Sequence, residues 1–324
     1  MKTGSRAPSQ NKVSALLLCI ALLFFPAAGW PNTLPALEIT QVSDAVFSAI
    51  GVTQAPAYEN FGHNNNLSFI LTSVGVVVVN GGDNELLAAA LHREIRQRTE
   101  LPVKWIINEN GQGHAFLGNS YWAGQGVSII AHEDAIAEMN HNGRAALARM
   151  QKRNKERATE TAISLPTHSF GAADGQRYIL QLGDTRIELI HFGEAHSPGD
   201  ISVWLPAQRI LIAGDIAFHQ RLLGIFPDTD VAGWIDSFQL MAALQPKTIV
   251  PGHGRPTDLA TLQRYTLGYL MFLRTEIIRI LEEDGDLADA YAIDQSAYAD
   301  LDTFDELAAK NAGRLYQMME MDYF

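Results

Sequence analysis

Hydrophobic positions recur with two periods along this chain, and the alternation between them predicts sheets covered by helices. Leu67 to Leu71 and Val76 to Val79, within LSFILTSVGVVVV, are two β-rich runs split by Ser73 and Gly75, the pattern of a hairpin. Glu85 to Arg98 then carries Leu86, Leu87, Ala90, Leu91 and Ile95 at three- and four-residue spacing, the stripe of a helix lying on a sheet. A second cycle follows: strand Val103 to Ile107, a short helix from Ala115 to Trp122, strand Val127 to Ala131, and a long polar helix from Glu133 to about Arg157.

The second half contains more strand. Tyr178 to Leu182 and Arg186 to Phe192 flank Gly183-Asp184, a strong hairpin signal. Ile201 to Leu205 and Ile210 to Ala213 are further strands, followed by helix Trp234 to Leu244 and strand Thr248 to Val250. Beyond Thr257 the chain reads as helical, and Thr303 with Glu306 predicts a capping box for the last helix. The aromatic and Met-rich stripe of that region reads as core.

The first 29 residues read as a signal peptide. Lys2, Arg6 and Lys12 precede an apolar run from Val13 to Phe25, and Pro26 to Gly29 supply small residues for cleavage. The run is shorter than the roughly 20 residues needed to span a bilayer, and the leucines before Cys19 do not suit lipid attachment. The expectation is a periplasmic or secreted protein with no stable membrane insertion after cleavage. Removing three positive charges deepens the formal net charge from −12 to −15 and removes the single cysteine, excluding disulfides and thiolate-bound metals. No basic stripe exists to displace counterions, so nucleic acid is excluded as a partner. Oligomeric state is not encoded in any readable pattern.

Chemistry is expected on loops beyond strand ends. Four such loops are suggestive: Asn108 to Asn119 (NENGQGHAFLGN), Gly193 to Asp200 (GEAHSPGD), Gly214-Asp215, and Pro251 to Gly254 (PGHG). Each places a His or Asp just past a buried strand. His63, Asn65, His219 and Arg221 read as solvated loop residues, and Asp215 taken alone could be a helix N-cap.

In order and local string, these loops resemble the metallo-β-lactamase superfamily of metallohydrolases, over roughly residues 60 to 257. The resemblance implies an α/β fold, an αββα four-layer sandwich, spanning residues 30–257, with a helical extension over 258–324 packed on the same domain. GEAHSPGD, AGD and PGHG match the family's second, third and fourth elements closely. The first departs from H-x-H-x-D-H: matching Gly118-Asn119 to the family's closing Gly-Asn sets Asn110 and Gln112 at the first two histidines, His114 at the aspartate and Ala115 at the third histidine. Asn80 likewise stands where an Asp-x-Gly carboxylate is usual.

What the resemblance implies is a metal held by His114, Asp215 and His253, with His196 left at the other family position. One zinc ion is the expected cofactor, with iron or manganese as alternatives. The implied activity is hydrolysis of a small-molecule ester, thioester, lactone or lactam by a metal-bound hydroxide. Asp215 would orient the water, and Asn110 or Gln112 would donate to the developing oxyanion. Two other readings stay open: a binding or accessory protein that kept the fold and lost catalysis, and an iron-dependent redox enzyme on the two-His, one-carboxylate set.

Overall fold

Valines 76 to 79 show how the architecture is built. Val77 and Val79 point into the cluster between two sheets, while Val76 and Val78 pack with Leu87, Leu91 and Ile95 on the opposite face. A strand buried on both faces has to be apolar throughout, which explains the unbroken run.

The computed structural model describes residues 34–323 together with Met1 and Gly4. The rest of the expected signal peptide lies outside the described residues. The first sheet has seven strands in sequence order: β1 (Ile39–Gln41), β2 (Val46–Ala49), β3 (Leu67–Thr72), β4 (Gly75–Val79), β5 (Val103–Ile107), β6 (Ser128–His132) and β7 (His168–Phe170). Pairing is antiparallel as far as β4 and parallel beyond it. The parallel part is made possible by crossover helices: α1 (Glu85–Arg96), α2 (Gly113–Phe116), α3 (Asn119–Gly124) and α4 (Glu133–Asn154).

The second sheet has five strands: β8 (Arg177–Leu182), β9 (Thr185–Ile190), β10 (Ser202–Leu205), β11 (Ile210–Phe218) and β12 (Thr248–His253). Only β11 and β12 pair in parallel, around α5 (Val231–Ala243). The helical remainder comprises α6 (Leu259–Leu262), α7 (Gly268–Glu282), α8 (Leu287–Tyr291) and α9 (Phe304–Tyr323). Leu270, Leu273 and Ile277 of α7 and Leu315 of α9 share one core with Leu211 and Ala213 of β11 and Trp234 of α5. Residues from Leu34 onward form one compact unit. The layers are therefore helix, sheet, sheet, helix. Among the described residues no helix is long and apolar enough to cross a membrane.

Several predicted elements change in detail. The short helix after β5 is two, α2 and α3, and β7, β1 and β2 were not legible as strands. The expected strand over 210–213 continues to Phe218, so Asp215 lies inside a strand and caps no helix. The expected capping box is not made. Thr303 adopts φ 65° and its hydroxyl donates to the carbonyl of Leu222 at 3.3 Å instead of accepting from Glu306.

Candidate functional site

The two sheets are joined at the edge where these loops emerge. Asn66, just before β3, donates its amide to the carbonyls of Pro251 (2.8 Å) and Gly254 (2.7 Å) at the end of β12. The Ile201 N–H donates to the Glu109 carbonyl at 2.8 Å. These bonds tie the start of β3 to the end of β12 and the loop after β5 to the start of β10.

Asp215 lies at the meeting point and is 1% exposed. Its approach depends on backbone. Gly214 has φ 62° and marks a bulge in β11, and a Cβ there would overlap Glu109 Oε2. A Cβ on Gly252 would overlap Asp215 Oδ1 in the same way. Both glycines leave room for carboxylates.

Three imidazoles face Asp215. His114 on α2 places Nε2 3.2 Å from Oδ2, His253 at the end of β12 places Nε2 3.4 Å from Oδ1, and His196 places Nε2 3.9 Å from Oδ2. Two of the rings are held from behind. His253 Nδ1 donates to the Asn64 carbonyl at 2.6 Å and its ring stacks on Phe218 at 4.7 Å. His196 packs against Phe226 and Trp234. Asn110 Nδ2 donates to Asp215 Oδ2 at 3.2 Å, while its Oδ1 accepts from the Gln112 N–H at 3.0 Å. Gln112 lines the cleft and makes no hydrogen bond to Asp215. The structure thus brings His114, His196, His253 and Asn110 together on Asp215, with Gln112 at the cleft wall.

Sequence reasoning missed Glu109. It is 2% exposed, its Oε1 accepts from Asn80 Nδ2 at 2.7 Å, and its backbone N–H donates to Asn80 Oδ1 at 3.2 Å. One ligand atom each from Glu109, His114 and Asp215 lies within 4.8 Å of the others. The available signal was a carboxylate immediately after a buried strand in the loop already singled out. A loop carboxylate, absent at the position where His114 stands for the family aspartate, is therefore present five residues earlier. The reading of His63, Asn65, His219 and Arg221 is also corrected, because three are buried and the half-buried Arg221 belongs to the cleft. His63, Asn65 and His219 are buried, His219 Nε2 donates to the Arg255 carbonyl at 2.5 Å, and Arg221 lines the cleft with Nη1 3.5 Å from His253 Nδ1.

Burial governs the charges. It pushes Asp215 up, but His114, His253 and His196 outweigh it and hold the carboxylate below its ordinary range. It pushes His196 down to about 4 and His253 to about 3, so both rings are neutral at pH 7 with lone pairs available. Glu109 is raised well above the usual carboxylate range by burial and by Asp215. Asp200, whose Oδ2 accepts from the Ser197 N–H at 2.5 Å, is raised in the same way.

This donor set suits a metal ion. His114 Nε2 and Asp215 Oδ1 are buried with no hydrogen-bond partner, His114 Nε2 lying beside Asp215 Oδ2 and His253 Nε2 beside Oδ1. Neutral imidazoles and carboxylates are the ligands of zinc, iron and manganese. The centre forms the floor of a cleft of about 610 Å³, walled by Glu138, Arg149 and Arg153 from α4 and by Phe226 and Arg221 from the loop after β11.

A four-layer sandwich with a His and carboxylate centre at the shared ends of its two sheets is the architecture of a metallohydrolase. The profile of the metallo-beta-lactamase superfamily matches residues 116–253, beginning just after the substituted loop segment. The metallo-beta-lactamase type 2 of Bacteroides fragilis is 24% identical over 223 residues, 67% of this chain and 79% of that protein. A metallo-beta-lactamase type 2 from Bacillus sp. (strain 170) is 32% identical over 87 residues, 26% of this chain and 34% of that one. The solved metallo-beta-lactamase from Pontibacter korlensis superposes with TM-score 0.58 at 20% identity, covering 73% of this chain and 99% of the other. The family profile and these relatives support the metallo-beta-lactamase superfamily for this chain, and the solved structure shares its fold.

Proposed function

We propose that the protein is a secreted or periplasmic hydrolase of a small-molecule ester, thioester, lactone or lactam, with one metal ion held by His114, Asp215 and His253. The observation that carries this reading is the convergence of three histidines on one buried, ionised aspartate at the floor of a cleft large enough for a small molecule. Glu109 and His196 complete the surroundings of the ion. When bound, the metal supplies Lewis acidity and lowers the pKa of water toward about 7.

The chain's own groups do the rest. Asp215, fixed by Asn110, orients the attacking water and keeps its charge. Asn110 already serves Asp215, so the oxyanion donor is assigned to Gln112, which lines the cleft. Phe226 and Leu307 shield the reacting carbonyl from bulk solvent. The test is metal content by mass spectrometry on the mature protein, together with His114→Ala and His253→Ala. About one ion per chain in the parent, lost in both variants together with turnover of an ester, thioester and lactam panel, is the expected result. A parent that takes up no zinc, iron or manganese overturns it.

One observation favours the binding-protein reading: the amide of Asn110 occupies a lone pair of Asp215 where the family alignment sets a histidine. Under that reading the metal-free protein binds a polar ligand in the cleft, and Asp215→Ala leaves no turnover to lose.

A further inference from the structure

We infer that His132, Asp134 and His191 form a second site for a divalent transition-metal ion, independent of the centre on Asp215. His132 ends β6 and caps α4, Asp134 lies in the first turn of α4, and His191 follows β9. One ligand atom from each of the three lies within 4.8 Å of the others.

The hydrogen bonds behind the rings decide which nitrogens are free. His132 Nε2 donates to Gln176 Oε1 at 2.7 Å, so its Nδ1 carries the lone pair. That Nδ1 faces Asp134 Oδ2 at 3.3 Å and takes only a long 3.3 Å bond from the Asp134 N–H. His191 Nδ1 donates to the Asp200 carbonyl at 2.9 Å, which leaves its Nε2 as the acceptor. Ligating histidines are oriented in this manner, the non-ligating N–H of each given to a carbonyl-type oxygen.

Stacked imidazoles with centroids 4.0 Å apart and planes 16° apart already hold the two donors on one side of the molecule. An ion in the plane of both rings opens that angle, which the exposed carboxylate of Asp134 can follow. Asp134 is 51% exposed as a side chain, so the ion enters from solvent and keeps water on its remaining positions. With Glu133 beside it, the acidic first turn offsets the positive end of the α4 dipole, which would otherwise repel a cation. Two imidazoles and one carboxylate suit zinc, copper(II) or nickel(II) rather than calcium or magnesium.

The position gives such an ion a structural role. It ties the start of α4, whose later turns supply Glu138, Arg149 and Arg153 to the cleft wall, to the loop that carries His196 and Asp200.

The experiment is equilibrium dialysis of metal-stripped full-length protein against Zn²⁺, with thermal melting of each sample. It is run on the parent, His253→Ala, Asp134→Asn and His191→Gln. The inference expects a tightly bound equivalent that survives in His253→Ala and weakens at least tenfold in both Asp134→Asn and His191→Gln. The zinc-induced rise in melting temperature should shrink in parallel. Asp134 is at the surface, so its variant folds even if His191→Gln does not. Unchanged zinc affinity and stoichiometry in Asp134→Asn and His191→Gln overturn the inference. Loss of one of two equivalents in His253→Ala bears on the Asp215 centre alone, whereas a His253→Ala protein that binds no zinc also overturns the inference, so the two readings fail separately.

Discussion

Asn80 and Glu109 hold each other through two hydrogen bonds, the Asn80 amide donating to Glu109 Oε1 at 2.7 Å and the Glu109 N–H donating to Asn80 Oδ1 at 3.2 Å. An amide just past β4 therefore steers a carboxylate on the neighbouring loop into the centre. That carboxylate is buried beside ionised Asp215, an arrangement that is unfavourable until a cation lies between them. Glu109→Gln keeps the hydrogen-bonding oxygen and removes the charge. We expect the metal-free variant to be as stable as the parent or more so, by roughly 1 kcal/mol, and its zinc affinity to fall about tenfold or more. Melting curves with and without zinc check this, and an unchanged zinc-induced shift would show that Glu109 lies outside the ion's reach.

Asp83 offers a pH test away from the centre. It pairs with Arg153 at the cleft wall, yet burial dominates and raises it from 3.8 to about 6. A carboxyl whose folded pKa is raised contributes stability that is fully present below its unfolded pKa and is lost as pH rises through the folded one. The window is therefore about pH 4 to 6, and the effect is on the order of 3 kcal/mol. Urea unfolding of the parent and Asp83→Asn at pH 4.5 and 7.5 should show the parent losing more stability than the variant on going to the higher pH. Parallel pH dependences would contradict the assignment.

Gly214 tests the bulge that delivers Asp215. Its φ of 62° is the left-handed region, and a methyl group there would overlap Glu109 Oε2. Gly214→Ala combines backbone strain with displacement of a buried carboxylate, and we expect a loss of about 2 to 4 kcal/mol. Gly124→Ala, where nothing lies within 4 Å of the added Cβ, is the control and should change stability by less than about 1 kcal/mol.

These residues also show what the sequence could reveal. The runs at 76–79 and 210–213 were readable because strands buried on both faces must be apolar. His196, Asp215 and His253 stood out as polar residues in short strings that follow apolar runs, although β11 continues past Asp215 to Phe218. Three-residue strands such as His168–Phe170 carry too few side chains for a period to show. Glu109 was missed because a glutamate in a loop is usually solvated, and only the fold shows that Asn80 and Gly214 enclose it. Arg221 and His219 followed a strand whose extension to Phe218 depends on pairing with distant β12, a contact that no local pattern specifies.

The C-terminal helices bear on function through Asn311. From α9 its Oδ1 accepts the Ile225 N–H at 2.9 Å, and its Nδ2 donates to the Leu223 carbonyl at 2.8 Å and the Tyr269 hydroxyl at 3.0 Å. It is wholly buried, so one side chain satisfies the backbone of the segment that carries Arg221 and Phe226 into the cleft. Asn311→Ala would strand the Ile225 N–H and the Leu223 carbonyl away from water, at a cost of roughly 1 to 3 kcal/mol each before any relaxation. The cheapest relaxation is for residues 221–226 to loosen and admit solvent. We therefore expect faster amide exchange at Ile225, a lower melting temperature, and a KM that rises more than kcat falls, since the cleft wall is disturbed while Asp215 and its histidines stay in place. Equal losses in kcat and kcat/KM with unchanged exchange at Ile225 would show that the segment is held by other contacts.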